Sequence, residues 1–317
     1  MSRSPTITAD LLGSVALAAA GICFGLTFAV VRQVLGQISP GGFLLERFSL
    51  AALVMWLLSR NRPASRGLWR DGLLPGLALG AAYLLQTMGL ETVTGSVSAL
   101  LTYLLVVIVP LLEAIWVRKV PTRPVLVGAF VAVAGLVVMG SGGPGHSFGI
   151  QDAETAASAC LFALNIVALG RVAERHDPLR LGTTQMSFVA LVALPEALAS
   201  RSFVLNASVL SYVLLTALVA SVGAFWLQIW GQRHVSASRA SLLLMAEPVV
   251  AIALGWLLGA PLRGSAAVGA ALLVGGILLS EIWTRRSQLA RVPREPALPS
   301  LTCSWPAVDR GAVTEDK

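Results

Sequence analysis

The chain has 317 residues, 56% of them hydrophobic and only 12% charged, with a mean hydropathy of +0.78. A soluble domain carries roughly 25% charged residues. No water-soluble globule of this length hides so much apolar surface, so lipid is the expected solvent. The formal net charge is +7, but the basic residues are dispersed between apolar runs rather than gathered in one patch, which argues against a nucleic-acid partner.

A helix of about 20 apolar residues crosses the bilayer core. Segments of this kind are read at 11–31, 42–58, 73–90, 96–117, 124–140, 153–170, 181–199, 208–230, 236–258 and 265–283. Arg3 and the run Ala18-Ala19-Ala20 mimic a signal peptide with its cleavage site. The apolar run continues to Val31, however, so the first segment is expected to be an uncleaved spanning helix. The connections are short and carry Pro, Gly, Ser or charge, as at Ser39-Pro40-Gly41-Gly42 and Ser141-Gly142-Gly143-Pro144-Gly145. From Arg285 the chain turns polar and Pro-rich and reads as a disordered tail. The expected organisation is a short N-terminus (1–10), a first five-helix repeat (11–140), a linker (141–152), a second repeat (153–283) and a tail (284–317).

Loop charge sets the orientation, because cytoplasmic loops are enriched in Lys and Arg. Arg60, Arg62, Arg66 and Arg70 follow the second segment, and Arg118, Lys119 and Arg123 the fourth. Arg171, Arg175 and Arg180 follow the sixth, Arg233 and Arg239 the eighth, and Arg285, Arg286, Arg291 and Arg294 the tenth. The alternate loops carry only Arg32, Arg201 and Arg263. This alternation supports the helix count independently of hydropathy and predicts a cell-membrane protein with both termini cytoplasmic.

The halves resemble each other. Phe24, Leu26, Pro40 and Arg47 stand 138 residues before Phe162, Leu164, Pro178 and Gln185. Gln86 and Gly89 stand 142 before Gln228 and Gly231, and Ser96, Leu100 and Leu101 keep that offset with Ser238, Leu242 and Leu243. Gly128 and Gly135 match Gly269 and Gly276 at 141. Five helices per half is an odd number, so the second half is expected to insert upside down. Inverted repeats are a mark of secondary transporters.

Glu46-Arg47-Phe48, Gln86-Thr87-Met88-Gly89-Leu90 leading into Thr94-Gly95-Ser96-Val97-Ser98-Ala99-Leu100-Leu101, and Ser236-Ala237-Ser238-Arg239-Ala240-Ser241 leading into Glu247-Pro248 resemble the EamA-type transporters of the drug/metabolite transporter superfamily. The resemblance covers about residues 10–283. It implies an all-α polytopic membrane protein with ten transmembrane helices as a 5+5 inverted repeat around a central cavity, and small-metabolite transport, often export, without ATP hydrolysis. The sequence departs from the pattern in two places. Gln185 stands where symmetry with Arg47 expects Arg, and Val106 stands opposite Pro248, with Pro110 one turn later.

Ionisable residues inside a membrane are costly and face a cavity or a partner. Arg47 is read either as a substrate or ion contact, or as a snorkelling residue paired with Glu46. Glu247, near the middle of the ninth segment beside the helix-kinking Pro248, is the candidate coupling acid. Glu113 is read as a structural ion pair with Arg118 and Lys119. Gln86, Gln228, Gln185 and Asn165 are polar candidates for substrate binding or for bonds between helices. Tyr83 and Tyr103 are candidate cavity walls. Trp226 is a further substrate-binding candidate, although Trp226 and Trp230 also suit an interfacial belt. The Gly72/Gly76/Gly80, Gly21/Gly25 and Gly255/Gly259 spacings read as close-packing seams.

Cys23 and Cys160 read as small hydrophobes, and no Cys/His cluster has metal spacing, so neither a metal nor a cofactor is expected. His146, His176 and His234 are scattered and no Asp lies in a read span, so no catalytic constellation forms. No GxxxxGK[ST] is present. The expected function is a non-enzymatic secondary active or facilitative carrier that exports a small polar metabolite or drug-like molecule by alternating access, with a mid-sized polar or zwitterionic metabolite suggested by the polarity of the cavity residues and protons as the candidate coupling ion. A permease subunit or scaffold acting with a partner is the alternative reading. The oligomeric state, monomer or homodimer, stays open.

Overall fold

The computed structural model describes residues 7–34, 37–89, 101–118, 120–140, 150–201, 203, 206–257, 259 and 263–289. The motif at 94–100, the linker glycines and the tail beyond 289 lie outside them. Every regular element among the described residues is helical. In chain order these are α1 (Ile7–Val34), α2 (Pro40–Ser59), α3 (Leu68–Gly89), α4 (Leu105–Leu112), α5 (Arg123–Gly140), α6 (Ile150–Val172), α7 (Pro178–Ser200), α8 (Ala207–Thr216), α9 (Phe225–Gly231), α10 (Ala237–Leu244), α11 (Ala246–Leu257) and α12 (Gly264–Leu289). A π-helical turn, Glu113–Val117, extends α4, and a π-helical stretch, Ala217–Ala224, joins α8 to α9. Among the described residues seven helical stretches are long and apolar enough to cross a membrane: Thr8–Thr27, Pro40–Ser59, Ala153–Arg175, Pro178–Ser200, Ala207–Gly231, Ala237–Leu257 and Gly264–Leu289. Leu105–Val117 and Arg123–Met139 are shorter apolar helices.

Local chemistry places the helix starts. Ser39 accepts from the Gly42 N–H ahead of Pro40, and Asp177 accepts from the Leu179 and Arg180 N–H groups ahead of Pro178. An oxygen-bearing cap followed by Pro satisfies the orphan donors and presets φ. The two caps stand at the 138-residue repeat offset. Two interruptions follow the second offset. The chain turns at Tyr103 and Leu104 before α4, and at Met245 between α10 and α11. Tyr103 and Met245 are 142 residues apart. A kink at Pro248 is expected from the sequence; the break falls three residues earlier because the missing Pro248 N–H removes the helical partner of the Leu244 carbonyl. The π-helical stretch in the eighth segment is not signalled by composition.

Glycine seams fix the packing. On α5 and α12, a Cβ on Gly128 would stand 2.6 Å from the Gly276 carbonyl oxygen, and one on Gly135 2.7 Å from that of Gly269. Number rises on one helix as it falls on the other, so the pair is antiparallel. On α3, Gly76 and Gly80 admit Phe188 and Val192 of α7. On α1, Gly21 and Gly25 admit the backbone at Leu244 and Glu247. Gly259 has a different role from the seam expected of it. It has φ 92°, and a Cβ there would meet nothing within 4 Å, so it serves a turn.

Candidate functional site

A cavity of about 100 Å³ lies between α1, α2, α3, α6, α9 and the two helix breaks. That is room for a molecule of on the order of ten non-hydrogen atoms. Its lining includes Arg47, Tyr83, Gln86, Tyr103, Asn165, Gln228 and Glu247, seven of the nine residues singled out in the sequence. Gln185 and Trp226 are not among its lining residues. Gln185 is fully buried on α7, and neither of its amide atoms has a hydrogen-bond partner among the described residues. α7 packs against both α2 and α3, and none of its residues is among those lining the cavity, whereas α1 and α6 contribute to the wall. Trp226 is 38% exposed. It follows Phe225, which lines the cavity, and one residue on a helix turns the side chain about 100° away.

Arg47 sits on α2, buried. Its Nε donates to Ser221 Oγ at 2.8 Å, from the π-helical stretch. Its guanidinium carbon lies 4.9 Å from the Phe48 ring centroid, 5.5 Å from that of Tyr83 and 5.9 Å from that of Phe43. Aromatic faces attract a cation without neutralising it. Among the described residues no carboxylate forms an ion pair with Arg47. The reading of Arg47 as a snorkelling residue is therefore replaced: its guanidinium faces the cavity.

Glu247 lies in the first turn of α11, directly after the break at Met245. A helix N-terminus favours a carboxylate there. Tyr103, from the matching break in the first half, lies beside it. Among the described residues Glu247 forms no ion pair either. Arg47 and Glu247 thus face one small cavity within each other's electrostatic reach but, among the described residues, in no direct ion pair.

The walls are amide and aromatic. Gln86 Nε2 donates to Thr102 Oγ1 at 3.2 Å, and Asn165 Nδ2 to the Pro75 carbonyl at 2.8 Å. Gln228 Nε2 donates to Gln232 Oε1 at 3.4 Å. Tyr83 packs edge-on against Phe162 at 5.2 Å, and Phe24 against Phe225 at 5.1 Å. Phe24, Thr27, Phe43, Thr102, Phe162 and Phe225 also line the cavity, and sequence reasoning does not single them out as site residues. A signal for two of them is present. Phe24 and Phe162 are a repeat pair, as Gln86 and Gln228 are, and both members of each pair line the cavity.

The reading of Glu113 is corrected in part, since Lys119, one of its two expected partners, lies outside the described residues. Glu113 Oε2 accepts from the backbone N–H of Ser238 at 2.9 Å and from the Ser238 hydroxyl. It is buried by α10 rather than paired with Arg118 at the interface.

The helical fold and the membrane-length apolar stretches are those of a multi-pass membrane protein, and the cavity is its candidate small-molecule site. The chain belongs to the EamA-like transporter family, which matches residues 11–141 and 155–282. It is 28% identical over 244 residues to an uncharacterized transporter of Archaeoglobus fulgidus, covering 76% of each chain. A solved protein crystal structure is similar in fold, with a TM-score of 0.71 at 20% identity, covering 90% of this chain and 100% of that one.

Proposed function

We propose that this transporter is a secondary carrier of a small zwitterionic metabolite, working by alternating access between two inverted five-helix halves of ten transmembrane helices. The observation that carries the substrate class is the placement of Arg47 and Glu247 in one cavity with, among the described residues, no direct ion pair to either. A buried charge left unpaired is costly. A substrate carboxylate at Arg47 and a substrate ammonium at Glu247 relieve both costs together. Arg47 supplies a planar fork suited to a carboxylate. Tyr83, Phe162 and Phe225 surround the apolar part, and Gln86, Asn165 and Gln228 offer amides to further polar groups. In the absence of substrate, a proton on Glu247 removes the unpaired anion, which makes that carboxyl the coupling group. Export is the direction that the family resemblance suggests.

The inverted arrangement is supported by the α5–α12 seam. The repeat offset of 141 carries Gly128 onto Gly269 and Gly135 onto Gly276, so the contact Gly128–Gly276 becomes Gly269–Gly135. A pair of contacts that exchange in this way lies on a pseudo-two-fold axis, and the helices it relates run antiparallel. The two stretches of chain that match the family fall at a similar spacing. Loop charge places both termini on the cytoplasmic side.

The test is uptake and counterflow in proteoliposomes with amino acids, nucleobases and cationic drugs. Saturable flux confined to zwitterions is the expected result. Flux of cations alone, from folded protein, contradicts the assignment.

A further inference from the structure

A second polar cluster lies well away from the cavity. Arg239, at the start of α10, is 4% exposed. Its Nη1 donates to both oxygens of Asp10 on α1, at 2.7 and 2.8 Å. Its Nη2 donates to Ser14 Oγ at 2.9 Å and to Glu281 Oε2 on α12 at 2.6 Å, and its Nε to Glu281 Oε1 at 2.5 Å. The neighbouring Ser238 holds Glu113. Four helical segments, α1, the end of the fourth, α10 and α12, are thereby tied at one level.

That level is one end of the cavity's own helices. At 1.5 Å per residue, Arg239 is about 12 Å along the chain from Glu247, Glu113 about 15 Å from Tyr103, and Asp10 about 21 Å from Phe24. Between the two levels lies a packed apolar layer including Leu17, Ala20, Val109, Ala163, Ala240 and Leu243. The layer is apolar and buried, and every guanidinium nitrogen of Arg239 in the cluster beyond it donates a hydrogen bond. The bonds divide unequally. Asp10, Ser14 and Glu113 belong to the first half of the chain, whereas Ser238, Arg239 and Glu281 belong to the second. Opening this end by moving one half against the other breaks Arg239–Asp10, Arg239–Ser14 and Ser238–Glu113. It leaves Arg239–Glu281 intact, so the guanidinium keeps a carboxylate in both positions.

We propose that Arg239, with Asp10 and Ser238–Glu113, is a latch that holds this end of the cavity closed, and that Glu281 is the standing partner that lets the latch release. The proposal rests on the two-half reading above and names the cytoplasmic end as the latched one.

The test is cysteine accessibility in the full chain, with Cys23, Cys160 and Cys303 replaced by serine and Ala240→Cys introduced into the apolar layer. An impermeant maleimide is applied separately to each face of reconstituted vesicles, without substrate. Asp10→Asn removes the charge and one of the two acceptor oxygens that face Arg239, and Ser238→Ala removes one of the bonds to Glu113, so either variant tests the latch if the other fails to fold. Expected is a rise of about tenfold in labelling rate from the Asp10 face in either variant, with Asp10→Glu returning it toward the parent rate. An unchanged rate in the folded variants, or a rise from the opposite face, overturns the latch. Labelling needs no transported substrate. A chain that moves no zwitterion but shows the Asp10-face response refutes the substrate assignment and keeps the latch.

Discussion

Gly128 on α5 and Gly276 on α12 meet backbone to backbone: a Cβ on either would stand 2.6 Å from the other's carbonyl oxygen. Neither helix has a flexible side chain there that could move aside. Gly128→Ala or Gly276→Ala therefore forces the helices apart, at a cost of about 1–3 kcal/mol for overpacking. Thermal unfolding in detergent should show each variant melting below the parent. The double variant should cost less than the sum, because the first substitution already opens the seam. An unshifted midpoint contradicts the close approach.

Arg47→Lys keeps the charge but loses the planar fork and the stacking on Phe48 and Tyr83. The half-saturation concentration for a carboxylate-bearing substrate should rise by roughly tenfold, the value of about 1.4 kcal/mol in binding. A carrier that reads no carboxylate would show no change.

Glu247→Gln keeps the shape of the side chain and removes its charge. Flux driven by an imposed pH gradient should vanish, while exchange of substrate across the membrane persists at a reduced rate. Retained gradient drive in this variant removes Glu247 from coupling.

Below the read span of α3, Asp71 accepts from His176 Nε2 at 3.0 Å, and His176 Nδ1 and Ser65 Oγ are 2.5 Å apart. The hydrogen bond from His176, with help from Arg70 and Arg175, holds the Asp71 carboxyl below the usual carboxylate range. A depressed native value stabilises the fold above the ordinary range, and that stability is lost as pH falls through the native value. Asp71→Asn should therefore lower the melting temperature at neutral pH, and the difference should close in acid below the carboxylate range. A difference that widens in acid contradicts the sign.

Much of the fold is legible in the residues because a membrane simplifies sequence. Apolar length marks helices, and an ionisable group such as Arg47 or Glu247 inside such a length marks a cavity or a partner. What escapes such reading depends on which face a residue takes. Gln185 carries the repeat offset from Arg47, yet it is buried on α7, none of whose residues is among those lining the cavity. Asp10, Arg239 and Glu281 sit at helix ends, where a charge reads as an interfacial anchor. Only the packed arrangement brings the three together from positions 10, 239 and 281. Proximity in the chain points Glu113 to nearby Arg118, whereas its bonds run 125 residues away to Ser238.

The most direct test of the account is counterflow competition with three related molecules of on the order of ten non-hydrogen atoms, matched to the size of the cavity: a zwitterion, the amine left when its carboxylate is removed, and the acid left when its ammonium is removed. A cavity that reads both charges, through Arg47 and Glu247, predicts that the zwitterion competes and that each single-charge analogue does so roughly tenfold less well or worse, the value of about 1.4 kcal/mol per lost charge contact. Equal competition by the amine or by the acid contradicts it, because one of the two residues would then have no part in recognition.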